Sequence, residues 1–163
     1  MSHRSLYDED ILLWSEEQAH VIRKLGRNPR GLPNELDVEN VAEEIESVGR
    51  SELATVKTQI ENILVHLIKL FAEPASSSAR HWRAEIVAFH SDLMHRYAPS
   101  MRHRIDLDDL WRSACEQAIL LLPEDLSLTS LLPETSPFAL DDILAERVES
   151  DRLVASLRSE EDT

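Results

Sequence analysis

From Ile63 to Phe71 every residue is apolar except His66 and Lys69. A polar or charged group in such surroundings is costly unless it finds a partner. The two stand one helical turn apart, an imidazole able to exchange a proton near neutral pH beside a fixed cation. A partner carboxylate is therefore expected from elsewhere in the chain. Two readings follow: a hydrogen-bonded pair that fixes the register between helices, or a histidine that acts as general base or binding residue in a cleft.

A second group is the carboxylate cluster Glu43, Glu44 and Glu46. Carboxylates projecting from facing helices build metal sites in helical bundles when histidines join them. The nearest histidine pairings here are His81 with Glu85 and His90 with His95. The alternative is a solvated set of acids near a helix start, where the positive end of the helix dipole favours them. Lys69 also opposes a cation beside His66, because like charges repel. Arg96 and His103 have a spacing found in some helical ribonucleases, but Pro99 lies between them. No phosphate loop, nucleophile elbow or cysteine and histidine zinc framework occurs, so no cofactor is expected. The single cysteine, Cys115, excludes an internal disulfide, and Ala114 and Ala118 beside it suggest a small buried hydrophobe.

The element that must position these residues runs from Val38 to Phe71. Its apolar positions, Val38, Val41, Ile45, Val48, Leu53, Val56, Ile60, Ile63, Leu67 and Phe71, recur at a mean step of about 3.7 residues. That is nearer the natural helical period than a heptad seam, so the stretch reads as one long helix packed in a bundle. Asp37 is its expected N-cap. Gly49 interrupts the apolar spacing and marks a bend or a close helix approach.

Around it, the spacing predicts a first helix from Ser5 to Gly26 and a loop rich in Pro and Gly over 27–36. A third helix carries Trp82, Ile86, Phe89, Leu93 and Tyr97 on one face and ends at Pro99. A fourth opens at Asp106 and stops at Pro123. A Leu-rich connection packs through Leu126, Leu128, Leu131 and Leu132. A short fifth helix starts at about Phe138 with Ser136 as cap. The fold class is all-α, a bundle of about five helices around one long central helix, in a single domain over 1–163 with a frayed tail over 158–163.

Several of these stretches resemble a known family. NVAEEIESVGRSE (Asn40 to Glu52), VHLIKL (Val65 to Leu70), the pair Trp82 and Arg83, YDEDILLWSEEQA near the start and PETSPFALDDIL (Pro133 to Leu144) are similar to the bacterial and cyanobacterial domain of unknown function family DUF29. The resemblance spans about 7–144. Where members of that family often carry Cys, this chain has Ser136, which argues against a general metal or redox role there. What the resemblance implies is an all-helical domain, with no activity assigned.

Composition narrows the function classes. The formal net charge is −14, of which residues 105–163 contribute −11, while Pro74 to Arg104 is basic at +3. An acidic field disfavours nucleic acid and suits a basic protein partner. The longest apolar run is far shorter than the ~20 residues of a membrane span, and MSHRSLYDED lacks an apolar signal core. A reducing cytoplasmic setting is the expectation. The leading functional reading is an acidic regulatory or antitoxin-like protein working through protein contacts. The alternative is a hydrolase or nuclease with a histidine and carboxylate site, metal-assisted or not. A homodimer is a further expectation: Glu44, Ser51, Thr55, Asn62, His66 and Lys69 form a polar lane beside the apolar stripe. Pairing two copies antiparallel about Thr55 would set Glu44 of one chain against His66 of the other.

Overall fold

The computed structural model describes residues 5–123 and 128–159. Among them there is no strand, and the chain is all-helical around one long central helix. The helices are α1 (Leu6–Glu9), α2 (Ile11–Gly26), α3 (Val38–Ala72), α4 (Ala79–Arg96), α5 (Leu107–Leu121), α6 (Leu128–Leu131), α7 (Leu140–Ile143) and α8 (Ser150–Ser159), with a 3-10 helix over Pro99–Arg104. The chain divides into two compact units, Met1–Val56 with Arg96–Ile105, and Lys57–His95 with Asp106–Thr163.

In the first unit the expected single N-terminal helix is two. Asp10 breaks it: its carboxylate accepts from Leu13 N at 3.0 Å, capping α2. It also accepts from the backbone N and hydroxyl of Ser100, at 2.9 and 2.7 Å. A buried aspartate satisfied by three donors stabilises a helix start better than a helix interior. The long helix begins as the spacing predicts, with Asp37 Oδ1 accepting from Asn40 N at 3.2 Å. Gly49 is a close approach. A Cβ there would stand 2.1 Å from Ser15 Oγ and 3.0 Å from Leu12 Cα, so only glycine lets α2 lie this near α3. Leu12, Ala19, Ala42, Val56, Ala98 and Met101 form this unit's buried core.

The second unit is built on the apolar half of α3. Ile63 through Ile68 are all buried, as an all-round apolar run requires, and so are Ile86 and Leu93 of α4, Trp111 and Ala114 of α5, and Leu153 and Leu157 of α8. Asp106 caps α5 by accepting from Asp109 N at 3.1 Å. Trp111 donates its indole N–H to Pro133 O at 2.8 Å and meets Phe138 edge-on at 5.7 Å.

Of the Leu-rich connection, Leu128 is buried, Leu132 half-buried and Leu131 exposed; Leu126 lies outside the described residues. The short helix after it starts later than expected, at Leu140, because Ser136 does not cap it. The Ser136 hydroxyl bonds instead to Phe138 O and N, and its N–H goes to Asp108. Asp142 takes up the helix start by accepting from Ala139 N at 3.0 Å. The tail expected to fray from 158 is helical through Ser159, since Leu153, Val154 and Leu157 bury the face of α8; 160–163 lie outside the described residues.

Candidate functional site

His66 projects from α3 towards α4, whose residues His81, Glu85 and Phe89 recur every four positions and so share one face. The His66 ring is 9% exposed. Its Nδ1 lies 2.8 Å from Asn62 O, its Nε2 lies 2.8 Å from Glu85 Oε2, and Phe89 meets the ring edge-on at 5.3 Å. Asn62 O can only accept, so Nδ1 carries a hydrogen. Nε2 then bonds Glu85 in one of two ways, as an imidazolium donating to a carboxylate or as a neutral ring accepting from a protonated carboxyl. The same Glu85 oxygen lies 3.4 Å from Nε2 of His81, an imidazole whose side chain is 71% exposed. Glu85 therefore stands between one buried and one solvent-facing imidazole.

This arrangement supplies the carboxylate that the apolar run demanded, but to His66 alone. Lys69 is half-buried rather than enclosed, and its ammonium lies 5.1 Å from the centre of the Trp82 ring. No carboxylate among the described residues lies within ion-pair distance of it. The expected carboxylate partner for Lys69 is thus corrected: the aromatic face holds the cation, and water reaches what remains. Both ring nitrogens of His66 are occupied within the chain, one by main chain and one by Glu85. His81 keeps solvent access and is the imidazole that acid–base chemistry at this place would use.

The acids grouped in the sequence are not grouped in space. Arg23 of α2 donates to Glu39 and Glu46, both at 2.9 Å, and lies 3.5 Å from Glu43; Arg50 pairs with Glu43. The hydrogen bonds that Arg23 donates, first to Glu39 and next to Glu46, hold its guanidinium above its ordinary pKa. Two guanidinium groups, those of Arg23 and Arg50, already engage Glu43 and Glu46. Glu44 points away from them and is exposed. Glu43, Glu44 and Glu46 belong to the first unit, whereas His66 and Lys69 belong to the second.

Glu17 and His20 of α2 have the Glu-x-x-His spacing of helical-bundle metal sites, which corrects the expectation that His81 with Glu85 and His90 with His95 are the nearest pairings; both are exposed. Among the described residues no group of three or more His, Cys, Asp or Glu is placed to hold a metal ion. Arg96 is held by Glu52 at 3.1 Å, and His103 is exposed on the 3-10 helix. Burial, with a smaller contribution from Glu116, pushes the Cys115 thiol up to about 11, so it stays a neutral, weakly nucleophilic thiol near pH 7.

Glu85, which the sequence pairs only with His81, is also the partner of His66. Its signal was present: Glu85 and Asp92 are the two acids of the basic stretch from Pro74 to Arg104. Both serve polar residues of α3, Glu85 through His66 and Asp92 through Gln59 at 2.7 Å.

These observations define an all-helical protein whose most unusual polar residues join helices to one another. The chain belongs to the domain of unknown function family DUF29, whose family model matches residues 6–148. It is similar to an alpha-helical protein of unknown function from Rhodospirillum rubrum, known from a crystal structure, at 35% identity. That match covers 94% of this chain and 98% of the other, with a TM-score of 0.87. No curated protein matches the chain. Among the described residues, no helix is long and apolar enough to cross a membrane.

Proposed function

We propose that this protein acts through protein contacts, as the acidic member of a regulatory or antitoxin-like pair whose other member is basic. The observation that carries the reading is the split between engaged and unengaged groups. The buried histidine and its carboxylate are consumed by helix packing, whereas large apolar side chains such as Leu25, Val41 and Val48 stand exposed on a chain of net charge −14. Exposed apolar surface on an acidic protein suits a partner that brings both apolar contacts and positive charge. The test is purification of the tagged full chain from its native host at moderate salt. One basic protein, recovered in constant ratio and released by high salt, is the expected result. Recovery of the chain alone would count against it.

A second reading has one observation in its favour: Glu85 lies beside the solvent-facing His81, a pairing that can orient an imidazole for hydrolysis. Stoichiometric metal in the purified protein, with hydrolytic activity lost in His81→Ala, would move the assignment to that reading.

A further inference from the structure

On one flank of the α2 and α3 pair, the acids have basic partners: Arg23 and Arg50 serve Glu39, Glu43 and Glu46. Gly26 against Val38 and Gly49 against Leu12 and Ser15 mark the line along which the two helices touch. At 100° per residue, the opposite flank carries Trp14, Ile22 and Leu25 from α2 and Val41, Ile45 and Val48 from α3. Ile22 and Ile45 are half-buried and form a floor, while Trp14 lies outside it against the Tyr7 ring. Leu25, Val41 and Val48 form the walls, at 52%, 37% and 43% exposure. Packing leaves this flank an open apolar groove. Its length follows from the 11 residues between the contacts at Val38 and Gly49, roughly 16 Å or three helical turns.

Charge distinguishes among occupants. Along the outer edge of the α3 wall stand Asp37 and Glu44, seven residues apart. Asp37 accepts from Asn40, and neither acid has a basic partner among the described residues. A second copy of this chain, itself of net charge −14, brings no excess of cations to that edge. A helix with a basic margin would place its cations over those acids while its apolar face fills the groove.

We propose that this groove takes a basic amphipathic helix of about three turns from a partner protein, its apolar residues at i, i+3, i+4 and i+7 seated between α2 and α3. This rests on the protein-contact reading above and gives it a place and a partner chemistry.

The test uses the full chain and a labelled synthetic helix of about 14 residues, with Leu at the groove-facing positions and Lys elsewhere. Two controls accompany it, a version with Glu in place of Lys and a version with the same composition but its Leu dispersed. Affinity is read by fluorescence anisotropy at physiological salt. Val48→Lys puts a cation in the groove wall, and Leu120→Lys puts the same charge on an exposed residue of α5. The Lys helix is expected to bind, and to bind about tenfold more weakly to Val48→Lys and to Glu44→Lys than to wild type or Leu120→Lys.

Equal weakening in Val48→Lys and Leu120→Lys would show charge attraction without a groove and overturn the proposal. So would equal binding of the dispersed or Glu helix, or no binding at all. A concentration-dependent dimer in sedimentation that Val48→Lys abolishes would make a second copy the occupant and overturn it as well. If a native basic partner binds Val48→Lys as tightly as wild type, the groove assignment fails while the protein-contact reading stands.

Discussion

Removing Glu85 should cost more than removing His66, although the two form one hydrogen bond. In Glu85→Ala, Nε2 of a residue that is 9% exposed loses its protein partner, whereas Nδ1 keeps Asn62 O. A hydrogen bond to a charged group contributes roughly 1.5–3 kcal/mol. Glu85's side chain is 35% exposed, so solvent screening moves the expectation to the bottom of that range or just below it, about 1–2 kcal/mol. In His66→Phe the new ring fills an apolar site beside Phe89. Glu85 turns towards water and His81, and Asn62 O keeps its bond within the helix, so the cost should stay under about 1 kcal/mol. The Glu85→Gln variant retains an acceptor and a donor and should fall between. Urea unfolding followed by far-UV circular dichroism would give all three values and, with the double variant, the coupling energy. A Glu85→Ala protein as stable as wild type, or a His66→Phe cost exceeding that of Glu85→Ala, would refute the account of His66 as a ring satisfied by Glu85.

Leu67, at 0% exposure, should not tolerate charge. Leu67→Asp buries an unpaired carboxylate at a cost of several kcal/mol out of a total of about 5–15, and the variant should be largely unfolded by circular dichroism. Lys69→Met keeps most of the contact with Trp82 and loses the attraction to the ring, about 0.5–1 kcal/mol, so a loss above 2 kcal/mol in urea would show a missed ionic partner. Gly49→Ala should lower Tm even though alanine favours helix by about 1 kcal/mol, because overpacking costs typically 1–3 kcal/mol and the new Cβ meets both Ser15 Oγ and Leu12 Cα. Ser15→Gly should recover part of that loss, and a Gly49→Ala protein that melts higher than wild type would show that α2 does not hold this position.

The parts of the fold legible in the sequence were those set by local period and local caps. The apolar steps from Val38 to Phe71 mark α3 to within a residue of its end at Ala72, and Asp37 and Asp106 cap where their positions suggest. What escaped depends on residues distant in the chain. Asp10 reads as an ordinary polar position of an amphipathic helix until Ser100, 90 residues on, supplies two donors that hold it as a cap. Ser136 looks like a helix cap until Asp108 takes its N–H. In α8, ten residues carry a strong apolar face, but with an acidic segment after it the stretch gives no cap signal.

The candidate site divides along the same line. The need of His66 for a carboxylate was readable from its apolar neighbours, because the cost of an unsatisfied group depends only on burial. The identity of that carboxylate depends on which helix packs there. Lys69 was misjudged since a long side chain can leave an apolar run and reach an aromatic face, so sequence neighbours overstate its burial.

The acids of α3 show the reverse case, a feature that was readable and was obscured by adjacency. Glu43, Glu44 and Glu46 look like one cluster because they lie within four residues. A helix advances 100° per residue, so Glu44 stands 100° from Glu43 and 160° from Glu46. Glu43 and Glu46, 60° apart, share the flank that Arg23 reaches, and Glu44 falls on the other side, beside Val41 and Val48. The arginines can neutralise only the flank they reach. An acid left over on the opposite flank beside exposed valines is what makes that face a place for a cationic, apolar partner.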